Sequence, residues 1–321
     1  MIIITGAAGF IGSNLIQKLN DEKFYDIVLV DDFSKKAKEI NYITKRYTVL
    51  VDRKDFFEWL SKNHQFVQFI FHLGARTDTT EFDMNILNAL NLNYSKSVWN
   101  ACCQYGIPLI YASSAATYGD GALGYSDSHE MINKLSPLNP YGVSKNNFDV
   151  WALEQKVKPF FWTGIKFFNV YGPNEYHKGR MASVVYHAFN QVKTKKRIDL
   201  FKSHIPEFKN GEQMRDFIYI DDVVDVLYYF MHHRKNSGIY NLGTGKARTF
   251  NDLAKSVFKS LQLSENIGYI DTPVDIREKY QYFTEAKMEK FRSTGYLKDF
   301  VSLEDGISTY INTYLSANKI K

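Results

Sequence analysis

Tyr141 and Lys145 stand four residues apart in a stretch of helical spacing that runs from Pro140 to about Lys156, so both side chains leave one helix face. A tyrosine with a lysine one turn away can serve as a general base. The phenol's ordinary pKa is about 10, so work near neutrality needs a drop of about 3 units, or about 4 kcal/mol. Neighbouring positive charge can supply that drop. The same pair on a solvated face would do no chemistry, so the upstream residues decide. Ser113 and Ser114 follow the apolar run Leu109 to Ala112, at the carboxyl edge of a strand, where α/β sheets bind ligands. A hydroxyl there can hold a substrate oxygen while the phenolate removes its proton. One of the two serines equally suits a cap or turn.

The first twelve residues supply a partner for that chemistry. Met1 to Ile4 form a short apolar strand, Gly6, Gly9 and Gly12 punctuate a turn, and Ser13 to Leu19 continue with helical spacing. One glycine permits the tight turn, the next lets backbone approach a pyrophosphate, and the third lets helix pack on strand. The phosphates would sit at the helix N-terminus. Glycine spacing alone is weak evidence. A second apolar strand, Ile27 to Asp31, strengthens it, because it ends in an acid about twenty residues on, where a ribose hydroxyl is read.

Alternating strands and helices must position these groups. Strands are expected at Tyr47–Val51, Phe66–His72, Leu109–Ala112 and Trp162–Phe168, with helices at about Asp55–Lys62, Asn85–Tyr105 and 140–156. That order predicts a parallel sheet covered on both faces. The second half is less regular. Helices are expected near Met181–Val192, Asp221–His232, Phe250–Leu261 and Leu303–Tyr314, with strands at Ile198–Phe201, Phe217–Ile220 and Gly238–Leu242. Polar loops are expected at Ser34–Lys38, Asp120–Pro137 and Lys202–Gln213.

The 321 residues are 45% hydrophobic and 23% charged, ordinary for a soluble globular chain. A net charge of +5 without a basic block gives no sign of nucleic-acid binding. Cys102 and Cys103 are adjacent in a helical stretch, which suits neither a disulfide framework nor metal spacing. The opening apolar run is too short for a signal peptide and no stretch reaches membrane-span length, so a cytoplasmic protein is expected.

On these residues the chain resembles the extended short-chain dehydrogenases/reductases, and within them the family of ADP-L-glycero-D-manno-heptose 6-epimerases. The general signals are the glycine turn, Ser114 and the Tyr141–Lys145 pair. The more specific ones are Tyr111 through Gly119, Phe168 through Pro173, His177-Lys178-Gly179, Met181 through Val184, Arg215-Asp216-Phe217 and Tyr280 through Thr284. The resemblance covers almost the whole chain. It implies an α/β fold with a modified Rossmann, doubly wound parallel sheet and a smaller α/β substrate domain. Residues 1–170 with about 217–245 would bind NADP, and about 171–216 with 246–321 would bind the ADP-sugar. The implied reaction oxidises C6 of ADP-heptose to a 6-keto intermediate and returns the hydride to the other face, in lipopolysaccharide inner-core supply. A homopentamer is implied, with no metal.

By the same resemblance, Tyr141 and Lys178 would be the two proton-transfer groups, Ser114 would hold the oxygen and Lys145 would assist. Around NADP it places Gly6, Gly9, Phe10, Ile11, Gly12, Asp31, Asp32, Lys38, Arg53, Leu73, Gly74, Ala75, Arg76, Thr77, Lys145, Val170 and Lys178. Around the substrate it places Ser114, Asn169, Arg180, His187, Phe201, Lys202, Ser203, His204, Arg215 and Tyr280. Without the resemblance, Lys178 reads as a solvated loop charge, Arg215 as an ion pair with Asp216, and His187 as a packed helix residue.

The chain departs from the family's pattern in places. Asp32 stands where asparagine is common, and a second carboxylate beside Asp31 would favour NAD, whereas Lys35, Lys36, Lys38 and Arg53 offer charge for a 2′-phosphate. Arg180 replaces a small residue, and Lys202–Gln213 is longer than expected. A 4,6-dehydratase would need acids where Ala115 and Ala116 stand. A UDP-hexose 4-epimerase would share Ser114, Tyr141 and Lys145 but leaves His177-Lys178-Gly179 unexplained. A non-catalytic NADP-binding protein would have no need of an intact Ser114, Tyr141, Lys145 and Lys178.

Overall fold

The computed structural model describes residues 1–79, 81–277 and 280–321. In chain order its strands are β1 (Ile2–Thr5), β2 (Ile27–Asp31), β3 (Val49–Asp52), β4 (Phe69–His72), β5 (Leu109–Ser114), β6 (Trp162–Phe167), β7 (Asn169–Tyr171), β8 (Ile198–Phe201), β9 (Met214–Tyr219), β10 (Gly238–Leu242), β11 (Ala247–Thr249) and β12 (Ile267–Ile270). The longer helices are α1 (Phe10–Asp21), α2 (Phe56–Asn63), α3 (Tyr94–Tyr105), α4 (Pro140–Glu154), α5 (Val184–Lys195), α6 (Ile220–His232), α7 (Phe250–Ser260) and α8 (Leu303–Thr309).

Seven strands pair in parallel in the order β10-β6-β5-β4-β1-β2-β3. From β1 the chain moves outward to β2 and β3, then restarts at β4 on the other side. That reversal opens a crevice at the carboxyl ends of β1 and β4, where doubly wound sheets take their ligands. The strands β1, β2, β4 and β6 are buried along their whole length, as a sheet covered on both faces requires. Alternate residues serve opposite faces. Ile2, Ile4, Ile27 and Leu29 pack with Leu15 and Ile16 of α1 and Val223 and Leu227 of α6. Ile3, Val28 and Val30 pack with Leu60 of α2, Trp99 of α3 and Phe148 of α4. The Trp99 ring meets Trp162 and Phe148 edge-on at 5.1 and 6.3 Å.

Two smaller sheets flank this layer, β11-β9-β7 and β12-β8. The strands β7, β11 and β12 do not stand out in the sequence, because three or four residues are too few to display an alternation. The helix expected over Asn85–Tyr105 starts at Met84, widens into a π turn over Asn88–Asn93 and resumes as α3. The helix expected from Met181 begins later, because the Ser183 hydroxyl accepts from the Tyr186 N–H at 3.2 Å and caps α5. The lysine-rich loop leads into a 3-10 turn, Lys36–Asn41, which touches both the glycine turn and the Lys178 segment. Cys102 is buried and Cys103 half-buried in helix packing. Among the described residues, no helix is long and apolar enough to cross a membrane, and no group of three or more His, Cys, Asp or Glu could hold a metal.

Candidate active site

At the β1/β4 reversal the backbone is shaped for close approach. Gly6 has φ +69°, and a Cβ there would lie 2.7 Å from the Gly74 Cα. A Cβ on Gly12 would collide with the Gly6 carbonyl. Gly9 leaves the first turn of α1 without a side-chain cap, so its N–H groups face outward for an anion. These features fit a dinucleotide pyrophosphate.

Asp31 ends β2 with both oxygens engaged. It accepts from the Ala8 N–H at 2.9 Å, the Asp32 N–H at 2.7 Å and Lys38 Nζ at 2.9 Å. Asp32 accepts from the Ser34 hydroxyl at 2.5 Å and faces Arg53 at 3.5 Å, and these partners hold its carboxyl below the usual range. On the β4 side, the Gly74 N–H donates to Thr5 Oγ1 at 3.2 Å, and Asn91 clamps Arg76 through both its backbone groups. A cleft of about 930 Å³ runs over this cradle and continues to Ser114, Tyr141, Lys145, Asn169, Val170 and Lys178.

Ser114 is the last residue of β5, and its hydroxyl accepts from the Ala116 N–H at 3.1 Å, opening a 3-10 turn. Tyr141 lies in the first turn of α4, whose start is set by Asn139 as cap and Pro140 at the first position. Lys145, one turn on, donates to the Ala112 carbonyl at 2.8 Å. Burial lowers this ammonium to about 8, with Asp149 opposing. Burial raises the Tyr141 hydroxyl, Ser114 pulls it back by a hydrogen bond, and Asp149 adds to the rise. The downward shift expected from Lys145 is therefore not supplied by the protein's own groups, since that ammonium is directed at a β5 carbonyl.

Lys178 comes from the Tyr176–Met181 turn and is half-buried, with Nζ 5.2 Å from the Phe10 ring. Burial lowers its ammonium and Glu175 opposes. It is not the solvated loop charge that its setting in the sequence suggests. The buried Glu175 carboxylate accepts from the Ser183 hydroxyl at 2.6 Å, holding the segment closed.

Other residues named from the sequence lie outside the cleft lining. Arg180 pairs with Asp78 at 3.0 Å, and His187 contacts the Arg180 carbonyl at 3.3 Å. Arg215 is not paired with Asp216, whose carboxylate instead accepts from the Thr244 hydroxyl and the N–H groups of Thr244, Gly245 and Ala286. The Arg215 guanidinium lies over Phe250 and Tyr280 at 5.6 and 5.4 Å and donates to the Gln281 carbonyl. Gln281 lines the cleft, so Arg215 and Tyr280 adjoin it through that residue. Phe201 stacks edge-on to Tyr280 at 6.3 Å, Lys202 pairs with Asp271 at 3.1 Å, and the N–H groups of Ser203 and His204 donate to Asn210 and Tyr282.

Residues 2–243 match the family described as NAD dependent epimerase/dehydratase. The chain belongs to that family. It is 47% identical over 326 residues to ADP-L-glycero-D-manno-heptose-6-epimerase of Fusobacterium nucleatum, covering 98% of each chain. It is 44% identical to the protein of that name from Nitratidesulfovibrio vulgaris, over 99% of this chain and 98% of the other. Among solved structures, Helicobacter pylori ADP-L-glycero-D-manno-heptose-6-epimerase superposes with a TM-score of 0.79 at 29% identity, covering 97% and 95%. The neighbouring UDP-N-acetylglucosamine 4-epimerase of Methanobrevibacter ruminantium, at 20% identity and TM-score 0.82, shares the fold.

This member of the family also holds polar residues near its site that sequence reading passed over. Asn41, Asn174 and Glu175 form a cluster beside Lys178 with His177, which the sequence motif already names. Asp149 and Lys166 form a buried ion pair under β5. Lys166 did carry a signal, as a lone charge inside the apolar strand Trp162–Phe167. Asp149 carried another, sharing a helix face with Tyr141 and Lys145.

Proposed function

We infer that this enzyme interconverts ADP-D-glycero-β-D-manno-heptose and its L-glycero form by inversion at C6. The observation that carries the reading is one cleft lined by Ser114, Tyr141 and Lys145 from β5 and α4 and by Lys178 from a separate turn, continuous with a dinucleotide cradle. Inversion needs a proton-transfer group for each presentation of the sugar, and two such groups from different segments supply that. The nicotinamide cofactor supplies hydride acceptance and return. The Ser114 hydroxyl holds the C6 oxygen, and Tyr141 takes or returns its proton in one presentation. Lys178, lowered by burial, does so in the other. C6 is exocyclic, so rotation about one bond exchanges the two faces.

The segments 1–170 and about 217–245 bind the cofactor, and about 171–216 and 246–321 bind the ADP-sugar, with Arg215 and Tyr280 near the diphosphate and Asn169 near the heptose. The cofactor is NADP. Supporting this, Lys38 neutralises Asp31 and Arg53 faces Asp32, which leaves Lys35 at the same end of the cleft for a 2′-phosphate. The product feeds the lipopolysaccharide inner core in the cytoplasm, and the enzyme assembles as a homopentamer. NMR of purified protein with ADP-D-glycero-D-manno-heptose, supplied separately with NADP and NAD, tests the reading. A mixture of C6 epimers without net cofactor reduction is expected, and folded protein that converts none of it with either cofactor would remove the proposal.

A further inference from the structure

Beneath the wall that carries Ser114, Tyr141 and Lys145 lies a charge pair sealed from water. Lys166 of β6 and Asp149 of α4 are each 0% exposed, with Nζ and Oδ2 2.8 Å apart. Such a pair adds little stability over apolar residues of similar volume, because both ions lose their hydration. Its bonds show what it holds. Asp149 accepts from the Ser113 hydroxyl at 2.6 Å and from the Tyr111 hydroxyl at 3.1 Å. Lys166 donates to Thr117 Oγ1 at 2.7 Å, and the Thr117 hydroxyl donates to the Ser114 carbonyl at 2.8 Å. The pair thereby grips β5 at Ser113 and the turn that follows at the Ser114 backbone. On α4, Asp149 lies two turns beyond Tyr141 and one beyond Lys145, on the same face.

We propose that Asp149 and Lys166 are positioning residues for the candidate catalytic wall, fixing the strand that ends at Ser114 against the helix that carries Tyr141 and Lys145, with Asp149 as the carboxylate that faces the Lys145 ammonium. The proposal rests on the functional reading above for what the wall does.

The groups around the pair make Asp149 the relevant charge. On its own helix it faces Tyr141 and Lys145, from β5 Tyr111, from the following turn Tyr118, and from the 129–132 helix His129. Burial raises the Tyr111 and Tyr118 hydroxyls and lowers His129 to about 4, so these three stay neutral near pH 7, while at Tyr141 the Ser114 hydrogen bond opposes the rise from burial. His72 of β4, near Lys145, is lowered to about 3 by burial and by that ammonium, so it is neutral too. Lys290 and Asp127 lie near Lys166, and Lys290 donates to the Asp127 carbonyl at 2.8 Å.

The test uses the full chain with Asp149→Asn, Lys166→Met and Lys166→Arg. Lys145 must be protonated to act as a cation, so turnover of ADP-heptose falls on an alkaline limb. Asp149→Asn is expected to move that limb down by about one pH unit, which costs about tenfold in turnover above it. Lys166→Met should move it the same way, because it frees Asp149 from the pair that holds it toward Lys145, and Lys166→Arg should restore it. Cofactor affinity against pH, read by protein fluorescence with NADP, should shift in parallel, since Lys145 lines the cleft. If the variants only lower the unfolding temperature and leave both pH profiles in place, the pair is structural and the proposal falls. If the unmodified protein never converts ADP-heptose, the functional reading fails separately, and the cofactor profile alone decides this proposal. Should Asp149→Asn not fold, the two Lys166 variants give the same readouts.

Discussion

Lys38 Nζ lies 2.9 Å from Asp31 Oδ1, and that contact bears on which nicotinamide cofactor the enzyme takes. Asp31 is buried and saturated by protein donors, so its charge is largely spent inside the fold. Asp32 is the more exposed carboxylate, facing Arg53 at 3.5 Å. Replacing it by asparagine removes one negative charge from the proposed ribose end and releases Arg53. Asp32→Asn is expected to tighten NADP relative to NAD by about 5-fold, or about 1 kcal/mol for a partly solvated charge. Fluorescence titration with each cofactor measures the ratio. An unchanged ratio would remove Asp32 from the selectivity argument.

The two proposed proton-transfer groups make a paired prediction. Tyr141→Phe removes a hydroxyl in the first turn of α4, and Lys178→Met removes an ammonium from a different segment. Each should lower epimerisation by about 10²–10⁴-fold, the range for a positioned acid or base. Circular dichroism should show an unchanged fold. Near-normal turnover in both variants would defeat the two-base assignment.

Asn174 sets where Lys178 can stand. It is fully buried at φ +73°, accepts from the Lys321 N–H at 3.0 Å and donates to the Ser13 hydroxyl at 3.1 Å. Asn41 donates to its carbonyl at 3.3 Å and to that of Ala8 at 3.0 Å, joining the turn to the glycine loop. Asn174→Gly keeps the backbone angle and loses the side-chain bonds, while Asn174→Ala loses both. The alanine variant should be less stable than the glycine variant by about 1–2 kcal/mol, the cost of the left-handed conformation for a residue with a Cβ. Both should lower kcat, because they loosen the turn that carries Lys178. Urea denaturation and steady-state kinetics measure the two effects, and equal stabilities would contradict the strain argument.

Much of this was legible in the sequence, and the limits have physical causes. The parallel sheet showed itself because β1, β2 and β4 are continuous apolar runs, which only a two-sided burial requires. The glycine turn showed itself because Gly6 and Gly12 sit where no Cβ fits. The charge state of Tyr141 did not. Helical spacing places Lys145 on its face, but spacing cannot tell that the ammonium reaches across to the Ala112 carbonyl. Nor could it show that Asp216 is spent on the N–H groups of Thr244, Gly245 and Ala286, leaving Arg215 to aromatic faces. Such contacts join residues far apart in the chain, and local pattern carries no record of them.

A buried histidine gives the last prediction. His72 ends β4 at 3% exposure, with Nδ1 2.7 Å from Thr5 Oγ1 and Nε2 2.8 Å from Ser95 Oγ. The Ser95 hydroxyl donates to the Asn91 carbonyl, so it must accept from the ring, which assigns the Nε2–H tautomer. Thr5 Oγ1 accepts from the Gly74 N–H and donates to Nδ1, so a second ring proton would break this chain at the loop that follows β4. Burial, aided by Lys145, lowers His72 to about 3 from an ordinary value near 6.5. Its folded-state value is depressed, so the unfolded chain binds the proton first as pH falls. The stability His72 contributes is therefore complete above pH 6.5 and is lost progressively as pH falls towards its folded value. Urea midpoints measured between pH 7 and 4.5 should fall for the unmodified protein, and less steeply for His72→Gln, which has no proton to gain. Parallel slopes in the two proteins would show that other groups govern the acid response.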